Sequence, residues 1–210
     1  KKVWKDQLAA LVAAVFYTYA PFRAVDVYVR GALPEAWGFV WFPLILYWFE
    51  DYLETKRWRS WWLMAICLAA LIVTHNLSTL MFAVVVGWWM LYRIYLFNAW
   101  KLVPKLLVVA VVAFGLSAFY LLPVIFESKL VAVANTAAGF YDYNNHFATI
   151  RQLLIQRMWG YGGSGWWDND GLSFSVGHLH WVLPLVGLIW LVRERRVRLK
   201  STLTLVVLLS

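Results

Sequence analysis

The chain has 210 residues, of which 63% are hydrophobic and 14% are charged, and its formal net charge is +8. Soluble domains are about 45–50% apolar and about 25% charged, so this composition excludes an ordinary soluble domain, a disordered chain and a disulfide-rich secreted module. It predicts an all-α protein that crosses a membrane several times. The 15 Trp, 11 Tyr and 13 Phe residues agree, because amphipathic aromatic side chains favour bilayer interfaces.

Seven apolar segments follow one another and predict a bundle of about seven transmembrane helices. They cover residues 7–22, 36–53, 60–76, 78–97, 104–126, 179–192 and 202 onward. A span needs about 20 residues, so the first and sixth segments are short and the last one is incomplete. Continuous apolar runs of this length exclude a barrel of strands. We interpret the chain as one membrane domain, 1–210, and as a piece of a longer protein.

The basic residues predict which connections face the cytoplasm. Most of the 19 Lys and Arg residues lie at the N-terminus and in the connections at 54–59, 93–105 and 193–200. The positive-inside rule places these connections and the N-terminus in the cytoplasm. Loops 23–35, 74–78 and 127–178 then face outward. The positive charge is therefore a topology signal and a contact for anionic lipid, and it predicts no nucleic-acid partner.

The first outward loop carries Arg23, Asp26, Arg30 and Glu35. An arginine can grip a phosphate with a planar fork of donors, and a carboxylate can act as a base or a metal ligand. These residues are therefore candidates for contact with a substrate or a lipid headgroup. In the alternative interpretation, Asp26 and Arg30 pair with each other at i, i+4 on an interfacial helix.

Three further candidates lie at the membrane edge: His75, Asn76 and Glu127. Polar residues are costly there unless they have partners, and histidine can exchange protons near neutral pH. Pro123 precedes Glu127 by one turn and can kink the helix so that the carboxylate turns inward. In the alternative interpretation, His75 and Asn76 cap broken helix ends, and Glu127 marks the end of its helix.

Loop 127–178 combines aromatic residues, glycines and acids, which suits sugar rings or lipid headgroups. Its segment 168–171, Asp-Asn-Asp-Gly, resembles the start of a calcium loop, but Leu179 stands where the twelfth-position Glu belongs. An Asx-type turn is the favoured interpretation. A metal site built from His146, His178 and His180 is disfavoured, because the last two point apart on a helix.

Several of these motifs resemble the bacterial membrane proteins known as the 6-pyruvoyl-tetrahydropterin synthase-related family. The resemblance rests on runs 19–23 and 26–35, on Thr74-His75-Asn76-Leu77-Ser78, and on run 117–123 followed by Glu127. It covers about residues 1–130. That family is generally grouped with the GT-C superfamily of polytopic glycosyltransferases.

The resemblance implies a GT-C-like protein of the bacterial plasma membrane that moves a sugar from a polyprenyl-phosphate-linked donor to a saccharide acceptor on the outer face. Arg23 or Arg30, helped by His75, would hold the donor phosphate, and loop 127–178 would cover the acceptor. The catalytic acid of such enzymes usually lies in the first outward loop of the full protein, which we expect to precede this segment. No catalytic residue is therefore assigned. No cofactor is expected, and a divalent metal is left open.

Two other classes of function fit the same residues. A transporter or flippase for lipid-linked saccharides would use the outward arginines and aromatic rings without a base. A non-catalytic scaffold would use the polar residues only to cap helices. An acidic pair in an outward loop upstream of this segment would favour the transferase.

Overall fold

The computed structural model describes residues 6–130, 139, 142–156, 159–166 and 170–193. Within these residues the regular structure is helical, apart from an isolated β-bridge between Tyr161 and Leu172. The predicted all-α fold class is therefore confirmed. The chain divides into two compact units. The bundle unit comprises Lys1–Gln7 and Ala32–Val133, and the loop unit comprises Leu8–Gly31 and Ala134–Ser210.

Nine α-helices occur in the described residues. They are α1 (Gln7–Thr18), α2 (Pro21–Val25), α3 (Leu33–Thr55), α4 (Trp58–Thr74), α5 (Asn76–Leu96), α6 (Val103–Leu116), α7 (Ala118–Phe126), α8 (Ile150–Leu154) and α9 (His178–Arg193). A π-helical turn, Asp26–Arg30, continues α2, and short 3₁₀ turns occupy Trp100–Leu102, Ser128–Leu130 and Tyr143–Asn145.

In the bundle unit, α4 is the central helix and packs against α3, α5 and α6. Large apolar side chains such as Phe49, Met64 and Leu71 are fully buried between these helices. The small residues Ala69 and Ala113 lie in a shared apolar cluster, which lets α4 and α6 approach closely.

Polar bonds tie α3 to α4 at both ends. At one end the indole Nε1 of Trp41 donates to the hydroxyl of Thr74 at 3.1 Å. At the other end the Ser60 hydroxyl donates to the Asp51 carboxylate. Between these helices the chain turns through Lys56, whose φ of 56° is left-handed and whose N–H bonds to the Tyr52 carbonyl. Because Lys56 adopts this left-handed conformation, Lys56 and Arg57 alone connect α3 to α4.

Two helical runs in the described residues, Gln7–Arg30 and Asn76–Leu96, are long and apolar enough to cross a membrane. A third candidate is the pair Trp100–Leu116 and Ala118–Phe126, which meet at a bend of 74°. Helix α4 has 17 residues, which is short of the roughly 20 that a span needs. Apolar side chains such as Leu80 and Val84 on α5 are largely exposed, which suits a hydrocarbon environment.

Several predicted boundaries differ from the structure. The predicted loop 23–35 is wrong, because Pro21 opens a new helical turn instead of stopping the helix, and the chain stays helical to Arg30. The first segment is therefore not short. The connection to α3 is only Gly31 and Ala32, and Gly31 takes a left-handed φ of 63°. The predicted hairpin 74–78 is a break at His75 alone.

Predicted segment 104–126 is not one straight helix. It breaks at the buried Ser117, whose hydroxyl donates to the Ala113 carbonyl at 2.8 Å. A serine hydroxyl that bonds to the carbonyl of the preceding turn competes with the backbone hydrogen bonds of the helix and often bends it. Segment 179–192 corresponds to α9, and the segment from 202 onward lies outside the described residues.

In the loop unit, hydrogen bonds and close glycine contacts fix the polypeptide between its helices. Helix α8 begins with a capping box in which Thr149 and Gln152 bond reciprocally. Gly162 and Gly171 approach so closely that a Cβ on Gly162 would lie 2.5 Å from the Gly171 Cα, so only glycine fits there. At the start of α9, Gly177 packs on Pro21 and His180 bonds to the Phe16 carbonyl at 3.0 Å.

Candidate functional site

Asp26 and Arg30 form an ion pair on the π-helical turn of the loop unit. Arg30 Nη1 donates to Asp26 Oδ1 at 2.7 Å. The Asp26 side chain has no exposed surface, whereas that of Arg30 is 37% exposed, so the carboxylate anchors a guanidinium that solvent can reach. The Arg30 guanidinium also lies 5.8 Å from the centre of the Phe22 ring. The predicted i, i+4 pairing is present, on a π-helical turn of the kind often found at functional sites.

Arg23 lies in the same helical run, seven residues before Arg30. Its guanidinium stands 5.2 Å from the centre of the Tyr17 ring, and Nη1 reaches the Tyr17 carbonyl at 3.4 Å. The side chain is half-buried. The loop unit thus presents two guanidinium groups on one helical run, each placed against an aromatic ring.

Glu35 lies in the first turn of α3, in the bundle unit. It borders an apolar cleft of about 240 Å³ between α3 and α5. The cleft is lined by Glu35, Phe39, Phe42, Ser78, Met81, Phe82 and Val85. Phe42 and Phe82 stack across it with ring centres 4.1 Å apart. The cleft is open and mainly apolar, and its polar members are Glu35 and Ser78.

His75 is the N-cap of α5. Its Nδ1 accepts the Ser78 backbone N–H at 3.2 Å and lies 2.7 Å from the Ser78 hydroxyl. Its carbonyl accepts the Thr79 hydroxyl at 2.9 Å. Asn76 is the first residue of α5 and is exposed. The structure therefore places His75 in the capping role that the sequence left as its alternative.

Glu127 ends α7 and is exposed. Its backbone N–H bonds to the Pro123 carbonyl at 2.8 Å, so Pro123 lies inside the last turn of the helix. The sharp bend in this region is at Ser117 rather than at Pro123. The expected inward-directed carboxylate is not observed, because Glu127 is exposed at the end of α7.

Asp170 organises the described part of the large loop. Its Oδ2 accepts Gln152 Nε2 at 2.8 Å, and its Oδ1 accepts the Gly165 N–H at 2.8 Å. These bonds run back to earlier residues, whereas an Asx turn would bond forward. Asp168 and Asn169 lie outside the described residues. Asp170 therefore holds the glycine-rich segment against α8.

The histidines of this loop have separate surroundings. His178 Nε2 lies 3.4 Å from the Ile155 carbonyl, and His180 bonds to the Phe16 carbonyl and packs edge-on against the Phe16 ring. Among the described residues, no group of three or more His, Cys, Asp or Glu side chains could hold a metal ion.

A second ion pair lies within the bundle unit, between Glu50 of α3 and Arg93 of α5. Arg93 Nε donates to Glu50 Oε1 at 2.8 Å, and Nη2 donates to Oε2 at 2.6 Å. Trp89 Nε1 donates to the same Oε1 at 3.0 Å. The side chains of Arg93 and Glu50 are 10% and 4% exposed, so the pair is closed to ligands. The Arg93 guanidinium also stands 4.7 Å from the centre of the Phe97 ring.

No protein-family model, curated protein or solved structure matches this chain. The family resemblance therefore rests on the motifs in the sequence alone.

The sequence analysis did not predict the Glu50–Arg93 pair, because it assigned Arg93 to a cytoplasmic connection. A signal was present: Glu50 lies inside predicted segment 36–53 and Arg93 inside segment 78–97. A charge within an apolar segment needs a partner. Two such charges of opposite sign predict a pair, although the pattern cannot say which residues meet.

Proposed function

We propose that this chain is part of a polytopic membrane glycosyltransferase of the GT-C type. It moves a sugar from a polyprenyl-phosphate-linked donor to a saccharide acceptor on the outer face of a bacterial plasma membrane. In this assignment the segment forms about seven spans, and its N-terminus lies in the cytoplasm. The observation that carries it is Arg30, a guanidinium anchored by a buried carboxylate and still accessible.

Anchoring matters because an arginine that is already oriented loses less entropy when it binds a phosphate. A guanidinium carries five N–H donors, and Nη1 of Arg30 is directed to Asp26. The side chain is exposed enough for an anionic group to approach it. The exposed guanidinium of the pair therefore suits recognition of a phosphate.

In the proposed reaction, the acceptor hydroxyl oxygen bonds to the anomeric carbon of the sugar as the bond between that carbon and the donor phosphate oxygen breaks, and negative charge develops on the phosphate oxygens. Arg30 and Arg23 stabilise that charge as it develops. An acidic residue outside this segment takes the proton of the acceptor hydroxyl. The chain described here thus supplies donor binding and leaving-group stabilisation.

The test uses the full-length protein and measures binding of polyprenyl phosphate together with sugar transfer. We expect Arg30→Gln to weaken polyprenyl phosphate binding about 10- to 100-fold, because a charge-assisted hydrogen bond contributes about 1.5–3 kcal/mol. Arg30→Lys keeps the charge but loses the planar fork, so it should restore only part of the affinity.

Arg151→Gln is the matched control, since Arg151 is an exposed arginine on α8 of the same unit. It should leave binding unchanged. Equal binding by wild type and Arg30→Gln would contradict the donor-binding role. The role of His75 is tested by His75→Asn, which keeps an N-cap. Unchanged transfer in that variant would limit His75 to capping α5.

The second candidate is a transporter or flippase for lipid-linked saccharides. The observation that favours it is the 74° break between α6 and α7, because many transporters bind their substrates at discontinuous helices. Such proteins usually carry two broken helices in matching halves. Lipid-linked saccharide crossing vesicle membranes in the presence of this protein, without sugar transfer, would favour this candidate.

A further inference from the structure

Five exposed cationic side chains gather at one end of the bundle unit. Lys56, Arg57 and Arg59 lie in the turn between α3 and α4 and in the first turn of α4. Lys101 and Lys105 lie in the 3₁₀ turn before α6 and in the first turn of α6. We call these five residues the basic patch. Sequence alone places its two halves about 45 residues apart, in separate connections.

Tertiary packing joins the two halves. Helix α4 packs against α6, and the indole Nε1 of Trp61 donates to the Lys105 carbonyl at 3.0 Å. Lys56 Nζ donates to the Leu53 carbonyl at the end of α3, which holds the ammonium near the helix end. Partial burial lowers the pKa of the Lys56 ammonium, and repulsion from Lys105 lowers it further. The two ammonium groups are therefore close enough to repel each other.

Two acidic side chains lie near this end, so among the described residues they offset only part of its five positive charges. Asp51 is engaged by the hydroxyls of Ser60 and Thr55, and Glu54 is the other acid nearby. Among the described residues, no ion pair involves Arg57, Arg59, Lys101 or Lys105. Like charges held together at a surface raise the energy of the folded protein unless an anion lies between them.

Exposed indoles accompany the basic patch. Trp58 opens α4 and Trp100 opens the 3₁₀ turn before α6, so each lies next to a cation of the patch. Trp62 is exposed one turn into α4. Tryptophan at a helix end favours the headgroup level of a bilayer, where lysine and arginine meet lipid phosphates. The patch thus combines the two residue types that locate a surface at a phospholipid interface.

We propose that the basic patch is a binding site for the phosphate headgroups of anionic phospholipids in the leaflet that faces this end of α4. Charge complementarity selects an anion, and the flanking indoles select a lipid over a soluble phosphate. The site is independent of the proposed sugar transfer, because it uses none of the residues assigned to the donor.

The experiment uses the purified full chain in nonionic detergent. It is titrated with phosphatidylglycerol or with phosphatidylcholine of the same acyl chains, and native mass spectrometry measures the lipid-bound fraction. We expect preferential binding of phosphatidylglycerol. The double variant Lys56→Gln/Lys105→Gln should reduce that preference about fivefold for each charge removed, since a cation near an anionic surface contributes about 1 kcal/mol. The variant Arg57→Lys/Arg59→Lys should retain it.

Lys129→Gln is the control, because Lys129 is an exposed lysine in the bundle unit outside the patch. It should bind both lipids as the wild type does. Circular dichroism and size-exclusion chromatography verify that each variant is folded, which is expected because the side chains are exposed. Equal binding of the two lipids by the wild type would overturn the proposal, as would an equal loss in Lys129→Gln. Displacement of phosphatidylglycerol by equimolar inorganic phosphate would overturn the lipid assignment.

Discussion

The two arginine–carboxylate pairs of this protein use the same chemical groups in different surroundings. In the bundle unit, Glu50 and Arg93 are separated by 43 residues, form two parallel hydrogen bonds and are almost fully buried. In the loop unit, Asp26 and Arg30 are separated by four residues and share one hydrogen bond at 2.7 Å. Only the aspartate of that second pair is buried.

The difference shows how the surroundings of an arginine decide its role. Arg93 has its charge compensated within the bundle unit, between a carboxylate and aromatic rings, so it fixes α5 against α3. Arg30 bonds to Asp26 and keeps 37% of its side-chain surface exposed, so solvent and an incoming anion can reach it. The buried pair is therefore structural, and the half-exposed pair is the candidate for ligand binding.

The largest expected effect comes from removing one charge of the buried pair. Glu50→Gln should lower the free energy of unfolding by about 3–5 kcal/mol, because it leaves the Arg93 guanidinium buried without its counter-charge. Denaturant titration of the protein in detergent micelles measures this loss. In the double variant Glu50→Gln/Arg93→Met, both charges are gone and much of the stability should return. If the double variant is as unstable as the single one, the pair does not act as a unit.

A smaller effect is expected for the half-exposed pair. Asp26→Asn should lower the free energy of unfolding by about 1.5–3 kcal/mol, the contribution of a hydrogen bond to a charged group. The loss in free energy of unfolding stays below that of Glu50→Gln, because water can solvate the Arg30 guanidinium once its partner is neutral. The same denaturant titration compares the two variants. A loss in Asp26→Asn as large as in Glu50→Gln would show that the exposure of Arg30 does not separate the pairs.

The smallest effect tests the third member of the buried cluster. Trp89→Phe removes the Nε1 donor to the Glu50 carboxylate and should cost about 1.5 kcal/mol, the low end for a hydrogen bond to a charged group, because Arg93 still makes two hydrogen bonds to that carboxylate. Trp88→Phe is the matched control, since the neighbouring indole is exposed and should change stability by less than about 0.5 kcal/mol. Equal losses in the two variants would mean that the indole hydrogen bond contributes nothing measurable.

Local features of this protein were predictable from its sequence. Apolar run length and composition predict the all-helical fold, because backbone groups in long apolar segments must bond within their own helix. The pairing of Asp26 with Arg30 and the capping by His75 were also among the sequence interpretations, since their partners lie within one helical turn. The orientation in a membrane and the identity of the substrate stay predictions.

Only the tertiary structure decided which distant side chains meet. The Glu50–Arg93 contact depends on how α5 is rotated and shifted along α3, and hydrophobicity alone leaves that register undetermined. The same holds for Lys56 and Lys105, which packing of α4 on α6 brings together, and for the bend at Ser117. Helix formation depends on contacts within a turn, whereas these features depend on the fit between whole helix surfaces.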